Sequence, residues 1–339
     1  MSVQPPSEMH DNARGNGQDI ARDRQAPTVG VIYNPRSHRN RGQDLDSNPA
    51  PHVFISQPGD RSQLSEALER FAQRGIDLLV INGGDGTVRD VLTAGGGVFG
   101  DQWPTIAVLP KGKTNALTVD LSAPKDWSLQ GAIDAYVDGG RVSRSPLIVE
   151  PTEGTEGKSH LGFILGAGGF TLAIRAGQDA HRLGAFNGLA VFVTMVWGLL
   201  QSLLGTRKNK WRRGAGMILT QHDTGEQIPH SGLGESYRRL VLFASTLESF
   251  PSGIQPFGPL QGGLKMVVLD QIKRFSMLRL PLNMMGKDMG NLAQRGIHQV
   301  AADSFTMALD DQFILDGEAY PAGTYQVKTG PKLEFVRPK

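Results

Sequence analysis

The chain has 339 residues and a net charge of only +2, which leaves room for two domains with separate cores and gives no overall field for gripping nucleic acid. It contains no cysteine, so a disulfide framework, a thiolate zinc site and a cysteine nucleophile are excluded. Residues 1–27 are polar, rich in Gly, Pro, Asn and Arg, and without the apolar core of a signal peptide; they predict a disordered tail on a cytoplasmic protein.

The run 28–33 is β-branched and ends at Asn34-Pro35, which predicts a buried strand followed by a loop. A second short strand is expected at 52–56. Asp60 can then cap a helix whose apolar residues Leu64, Ala67, Leu68, Phe71 and Ala72 keep helical spacing, and Gly75 can close it. Residues 77–81 are apolar on both faces, as in a central parallel strand. A helix follows from Thr87, a strand at 105–109, and a helix capped by Ser128 that runs to Val137. This alternation predicts an α/β domain over 28–145 with a parallel sheet, whose ligands bind beyond the carboxyl ends of the strands.

From 146 to 339 the pattern changes to short apolar runs between Gly/Pro-rich turns, which predicts a mainly β domain. Within it, 183–206 carries no charged side chain and is long enough to span a bilayer as a helix. Asn187, Thr194 and Gln201 recur every seven residues there, and that polar stripe predicts a helix packed on the protein or lying on a membrane surface rather than a span. The run Arg207, Lys208, Lys210, Trp211, Arg212, Arg213 follows directly. Cations beside an anionic surface, with Trp at the headgroup level, predict a membrane-docking element; the alternative is a solvated loop.

Four loops carry chemistry. Asn82 ends a strand and leads into Gly83-Gly84-Asp85-Gly86-Thr87 and a helix. Glycines there let backbone N–H groups approach a phosphate, and the helix start adds partial positive charge. Asp85 is then the odd member, because a carboxylate beside phosphates needs a metal or a proton to serve. The loop Asn34-Pro35-Arg36-Ser37-His38-Arg39-Asn40-Arg41 follows the first strand and offers cations to phosphates or anionic headgroups; taken alone, a solvated basic loop is the alternative. Pro110-Lys111-Gly112-Lys113-Thr114-Asn115 again follows a strand with glycine, hydroxyl and lysine groups. Near the C-terminus, Asp316-Gly317-Glu318 sets two carboxylates around a glycine: one could accept a proton from a hydroxyl and the other could hold Mg²⁺. An Asp-Gly hairpin turn is the plainer reading of the same residues.

Taken together in this order, the four segments resemble the diacylglycerol kinase, sphingosine kinase and ceramide kinase superfamily. The resemblance implies an N-terminal nucleotide-binding α/β domain, a C-terminal β-sandwich that binds lipid, and ATP with Mg²⁺ in the cleft between them. It implies that Gly83 to Thr87 cradle ATP phosphates, with Asn34, Ser56 and Asn115 lining the nucleotide pocket and Pro35, Arg36, Ser37, Asn82, Lys113 and Thr114 in the adjoining loops. Asp85, Asp316 and Glu318 are the implied metal candidates. The proton acceptor is Asp85 by analogy with sphingosine-type members and Asp316 by analogy with bacterial diacylglycerol-type members. The chain departs from the pattern at Asp90, where Glu is usual, and at Lys113 and Ala116, where the family string has a hydroxyl and an acid.

The function expected is an ATP-dependent lipid kinase acting on a primary lipid hydroxyl from the inner face of the membrane. The rivals are a soluble-substrate kinase of the NAD kinase or phosphofructokinase class, and a membrane-binding regulator that has lost catalysis.

Overall fold

The computed structural model describes residues 26–40, 50–182, 209–271 and 290–338. The expected helix 183–206, most of the N-terminal tail, and Arg207 and Lys208 of the basic run lie outside the described residues. Among those described, no helix is long and apolar enough to cross a membrane.

The first domain starts with β1 (Val29–Tyr33), β2 (Val53–Ser56) and α1 (Arg61–Gln73). Asp60 caps α1 by accepting from the Gln63 N–H at 2.9 Å, and Gly75 follows its end at φ +60°. β3 (Leu78–Gly83) then feeds α2 (Asp85–Phe99), and β4 (Thr105–Pro110) feeds the short α3 (Ala116–Asp120). α4 (Leu129–Asp138), capped by Ser128, leads to β5 (Gly140–Arg144). α2 runs through Gly95, Gly96 and Gly97, where propensity argues for a break. Close packing explains the first of these: a Cβ on Gly95 would stand 2.4 Å from the Trp103 ring.

The second domain is antiparallel. It holds β6 (Leu147–Pro151), β7 (His160–Gly162), β8 (Ile164–Gly168), α5 (Gly169–Arg182), β9 (Ala215–Gln221), β10 (Arg238–Arg239), β11 (Val241–Ser245) and β12 (Leu264–Leu269). β13 (Ile297–Ala302), β14 (Ser304–Leu309), β15 (Phe313–Leu315), β16 (Glu318–Tyr320) and β17 (Gly323–Thr329) complete it, before β18 (Leu333–Arg337). One sheet has the order β10-β9-β14-β17-β6-β7 and the other β13-β12-β11-β8-β15-β16. Their inner faces, among them Leu165, Met217, Leu242, Met266, Phe305, Phe313 and Val327, share one core, so the expected α/β plus β-sandwich architecture is present.

The chain then crosses back. β18 joins the first sheet, whose order is β2-β1-β3-β4-β18-β5, parallel to β4 and antiparallel to β5. The range 146–339 read as the second domain therefore has its last strand in the first. Phe335 on that strand is fully buried and meets Phe163, which lies between β7 and β8, at 6.3 Å between ring centres. The two domains share a continuous apolar cluster that includes Val88, Leu117, Phe163, Phe250 and Phe335. Truncating a buried Phe in such a cluster costs about 3–5 kcal/mol, so the junction is held as firmly as a domain core.

Candidate active site

Three of the four loops meet because their strands are neighbours with a common direction. Asn34 after β1, Ser56 at the end of β2, Asn82 in β3 and Pro110 at the end of β4 all fall on the carboxyl edge of the first sheet. Asn34 donates to the Thr87 Oγ1 at 2.8 Å, and its Oδ1 accepts from the Arg36 N–H at 2.9 Å. Asn40, nearly fully buried, donates to the Asn34 carbonyl and to the Asn82 Oδ1, both at 2.9 Å. Arg39 donates to the Lys125 carbonyl at 2.7 Å, and Arg36 to the Gly59 carbonyl at 2.7 Å. The first loop is thus tied to the glycine loop by amide side chains that have no freedom to turn away. Ser37 is buried within it.

The glycine loop and the third loop touch backbone to backbone. A Cβ on Gly84 would lie 2.7 Å from the Gly112 Cα, and one on Gly112 the same distance from the Gly84 Cα. No side chain fits there, so the spacing of these two glycines is steric. Asn115 holds the third loop, accepting from the Gly112 N–H at 2.7 Å and donating to the Gly112 carbonyl at 2.9 Å, itself at φ 52°. Lys113 and Thr114 are exposed at the loop tip. Gly83 and Gly86 complete the loop into α2.

Asp85 opens α2 and turns its carboxyl towards α3. Burial pushes that carboxyl up, while the N–H groups of Leu117, Ala116 and Asn115, and its own, donate to it and pull the other way. The acid absent from position 116 therefore leaves Ala116 beside Asp85.

Asp316 arrives from the other domain. The β15–β16 hairpin turns at Asp316 (φ 45°) and Gly317 (φ 84°), with Leu315 paired to Glu318 across it. Asp-Gly makes the hairpin of the plainer reading, and the Asp316 carboxyl points inward. Its Oδ2 accepts from the Phe163 N–H and its Oδ1 from the Ile164 N–H, each at 2.9 Å. A Cβ at Gly162 would stand 2.6 Å from Asp316 Oδ2. Asp85, Asp316, Val88, Ala116, Leu117 and Phe163 line one small cavity at the domain junction. Burial first, and the neighbouring Asp85 charge second, push the Asp316 carboxyl up to about 7, against the two N–H donors and Arg89.

Glu318 goes elsewhere. It pairs with Arg89, and with Arg61 at 3.0 Å, while Asp90 contacts the same two guanidinium groups at 3.0 and 3.4 Å. A carboxylate shared by two arginines is a poor cation ligand, which argues against the metal role read for Glu318 from its sequence neighbour. Among the described residues no group of three or more His, Cys, Asp or Glu converges as a metal cage. Asp85 and Asp316, which line one cavity, are the carboxylates left for a divalent cation that arrives with phosphates, since such sites use one or two carboxylates and complete the shell from the nucleotide. Arg89, which bridges the domains here, went unnoticed in the sequence because nothing local marks a helix arginine as buried.

Residues 28–144 match the family model of the diacylglycerol kinase catalytic domain. The first domain is therefore of the diacylglycerol kinase catalytic-domain type, in keeping with the motif order and the two-domain architecture. Among solved structures the chain is similar to a diacylglycerol kinase from Bacillus anthracis strain Sterne, at 16% identity over 92% of this chain and 97% of that one, with a TM-score of 0.57. Two structures of a candidate diacylglycerol kinase from the same organism align at 15% and 16% identity, covering 92% and 91% of this chain and 97% of each of theirs, with TM-scores of 0.63 and 0.61. At these identities the likeness establishes a shared fold. No curated protein matches the sequence.

Proposed function

We propose that the chain is an ATP-dependent lipid kinase that transfers the γ-phosphoryl group to a primary hydroxyl of a membrane lipid of diacylglycerol, ceramide or sphingoid type. The observation that carries this reading is the pairing of a phosphate-loop carboxylate with a carboxylate from the second domain, in one cavity at the junction.

ATP phosphates are taken by the N–H groups of the glycine loop and the α2 start, with Arg36 and Lys113 nearby as cations. A bound Mg²⁺, held by Asp85 together with the phosphates, would neutralise charge on the transferring group and leave Asp316 for the proton. Asp316 is the better base. Burial first and the Asp85 charge second push its carboxyl up to about 7, where a base is both ionised and able to hold a proton; both carboxyls accept backbone N–H bonds, Asp85 from α3 and Asp316 from Phe163 and Ile164. The lipid O–H bond breaks as its oxygen bonds to the γ-phosphorus, the proton passes to Asp316, and the bond to ADP opens in line. Asp85 fixes the geometry by tying the glycine loop to α3. Transfer of this kind rests on positioning and charge more than on covalent chemistry.

The docking run, Arg207 to Arg213, supports a substrate that stays in the bilayer and a peripheral position on the cytoplasmic face. Arg213 is exposed, as such a contact needs. The test is incubation with γ-labelled ATP, Mg²⁺ and a panel of diacylglycerol, ceramide and sphingosine in vesicles, with NAD as a soluble control. Label in one lipid supports the reading, and label only in NAD or a soluble acceptor overturns it.

A further inference from the structure

Arg89 lies four residues after Asp85 on α2, so both side chains leave the same helix face towards the second domain. Its side chain is 7% exposed, and a buried guanidinium is costly unless its donors are used. They reach the Asp316 turn and Asp90. Nη1 reaches the Leu315 carbonyl at 3.4 Å, just before Asp316, and Nη2 pairs with Glu318, just after Gly317. Asp90, at 3.0 Å, holds the guanidinium from the helix side, and Arg61 braces Glu318 at 3.0 Å. The Asp316-Gly317 turn is thereby gripped on both flanks from the helix that begins at Asp85.

We propose that Arg89 is a positioning residue: its planar fork clamps the turn and sets where the Asp316 carboxyl meets the glycine loop. The two N–H groups of Phe163 and Ile164 fix the carboxyl to its own domain, and Arg89 fixes the turn to the other. A lysine cannot replace it fully, because one ammonium is a point donor and cannot hold both flanks. This inference rests on the kinase reading for its consequence, but the clamp is a property of the fold and can be measured without substrate.

The experiment compares amide hydrogen exchange in wild type, Arg89→Met and Arg89→Lys, with lipid phosphorylation measured alongside. Arg89→Met is expected to speed exchange at Phe163 and Ile164 by about tenfold or more through local opening, while Val327 in the far sheet keeps its wild-type rate. Arg89→Lys should fall between the two, and should still fold if Arg89→Met does not. In turnover, both variants should lose kcat with the KM for ATP unchanged. Unchanged exchange at Phe163 and Ile164 overturns the proposal. So does an equal acceleration at Val327, which would mean global destabilisation only. If wild type labels no lipid, the kinase reading fails instead, and the exchange pattern still decides the clamp.

Discussion

Asp85 and Asp316 come from different domains and face one cavity, where burial first and the Asp85 charge second push the Asp316 carboxyl up to about 7. Neither arrangement is accidental to packing. Asp85 is fixed by α3 backbone donors and Asp316 by the Phe163 and Ile164 N–H groups, so each carboxyl is held at the cavity by its own domain.

A pH dependence of the reaction follows. A base must be ionised to accept a proton, so kcat/KM for lipid should rise with pH, by about tenfold per unit well below the Asp316 midpoint, and level off above it. With the carboxyl at about 7, the bend should fall near neutrality rather than near 4. A pH–rate profile on a single lipid checks this.

Stability should show the opposite trend. The folded state holds the Asp316 proton more tightly than the unfolded chain does, so this group favours folding at low pH. That contribution declines as pH rises from its ordinary 3.8 to about 7. Asp316→Asn should flatten this part of the curve, measured as urea midpoints from pH 4 to 8. A slope identical to wild type would contradict the raised value.

The Gly84–Gly112 contact makes a steric prediction. Gly112→Ala should lower stability by about 1–3 kcal/mol, the usual cost of forcing atoms into packed space, and weaken ATP binding in calorimetry. For stability Gly86→Ala is the control, because its Cβ would meet no protein atom nearer than 3.9 Å.

Asp270 holds a separate buried network and should behave in the reverse sense. Burial raises its carboxyl, but hydrogen bonds from His298 and Ser231 and the Arg239 charge outweigh it and hold it at about 2. Its stabilisation is therefore present above the ordinary 3.8 and is lost as pH falls towards 2. Asp270→Asn leaves Arg239, bonded to it at 2.7 Å, without its counter-charge. The expected loss is about 3–5 kcal/mol, read by thermal or urea unfolding, with the junction cavity untouched.

The glycine loop, the capped helix α1 and the change from α/β to β were legible because each is written in local spacing. The return of β18 to the first sheet was not, since a five-residue strand carries no sign of which sheet it will join. Glu318 misled for a physical reason. Its closeness to Asp316 in sequence suggested a shared ligand set, but the hairpin turn sends it to Arg89 and Arg61. Motifs left Asp85 and Asp316 as equal candidates for the base, because the burial and neighbouring charges that bear on it are set by the fold and not by local sequence.

The most direct test is single-turnover transfer from γ-labelled ATP to lipid by wild type, Asp316→Asn and Asp85→Asn, with ATP binding measured separately. Loss of the base should slow transfer by Asp316→Asn by about 10²–10⁴-fold while ATP still binds, and Asp85→Asn should also disturb the glycine loop and weaken ATP binding. Transfer by Asp316→Asn at the wild-type rate would contradict the account.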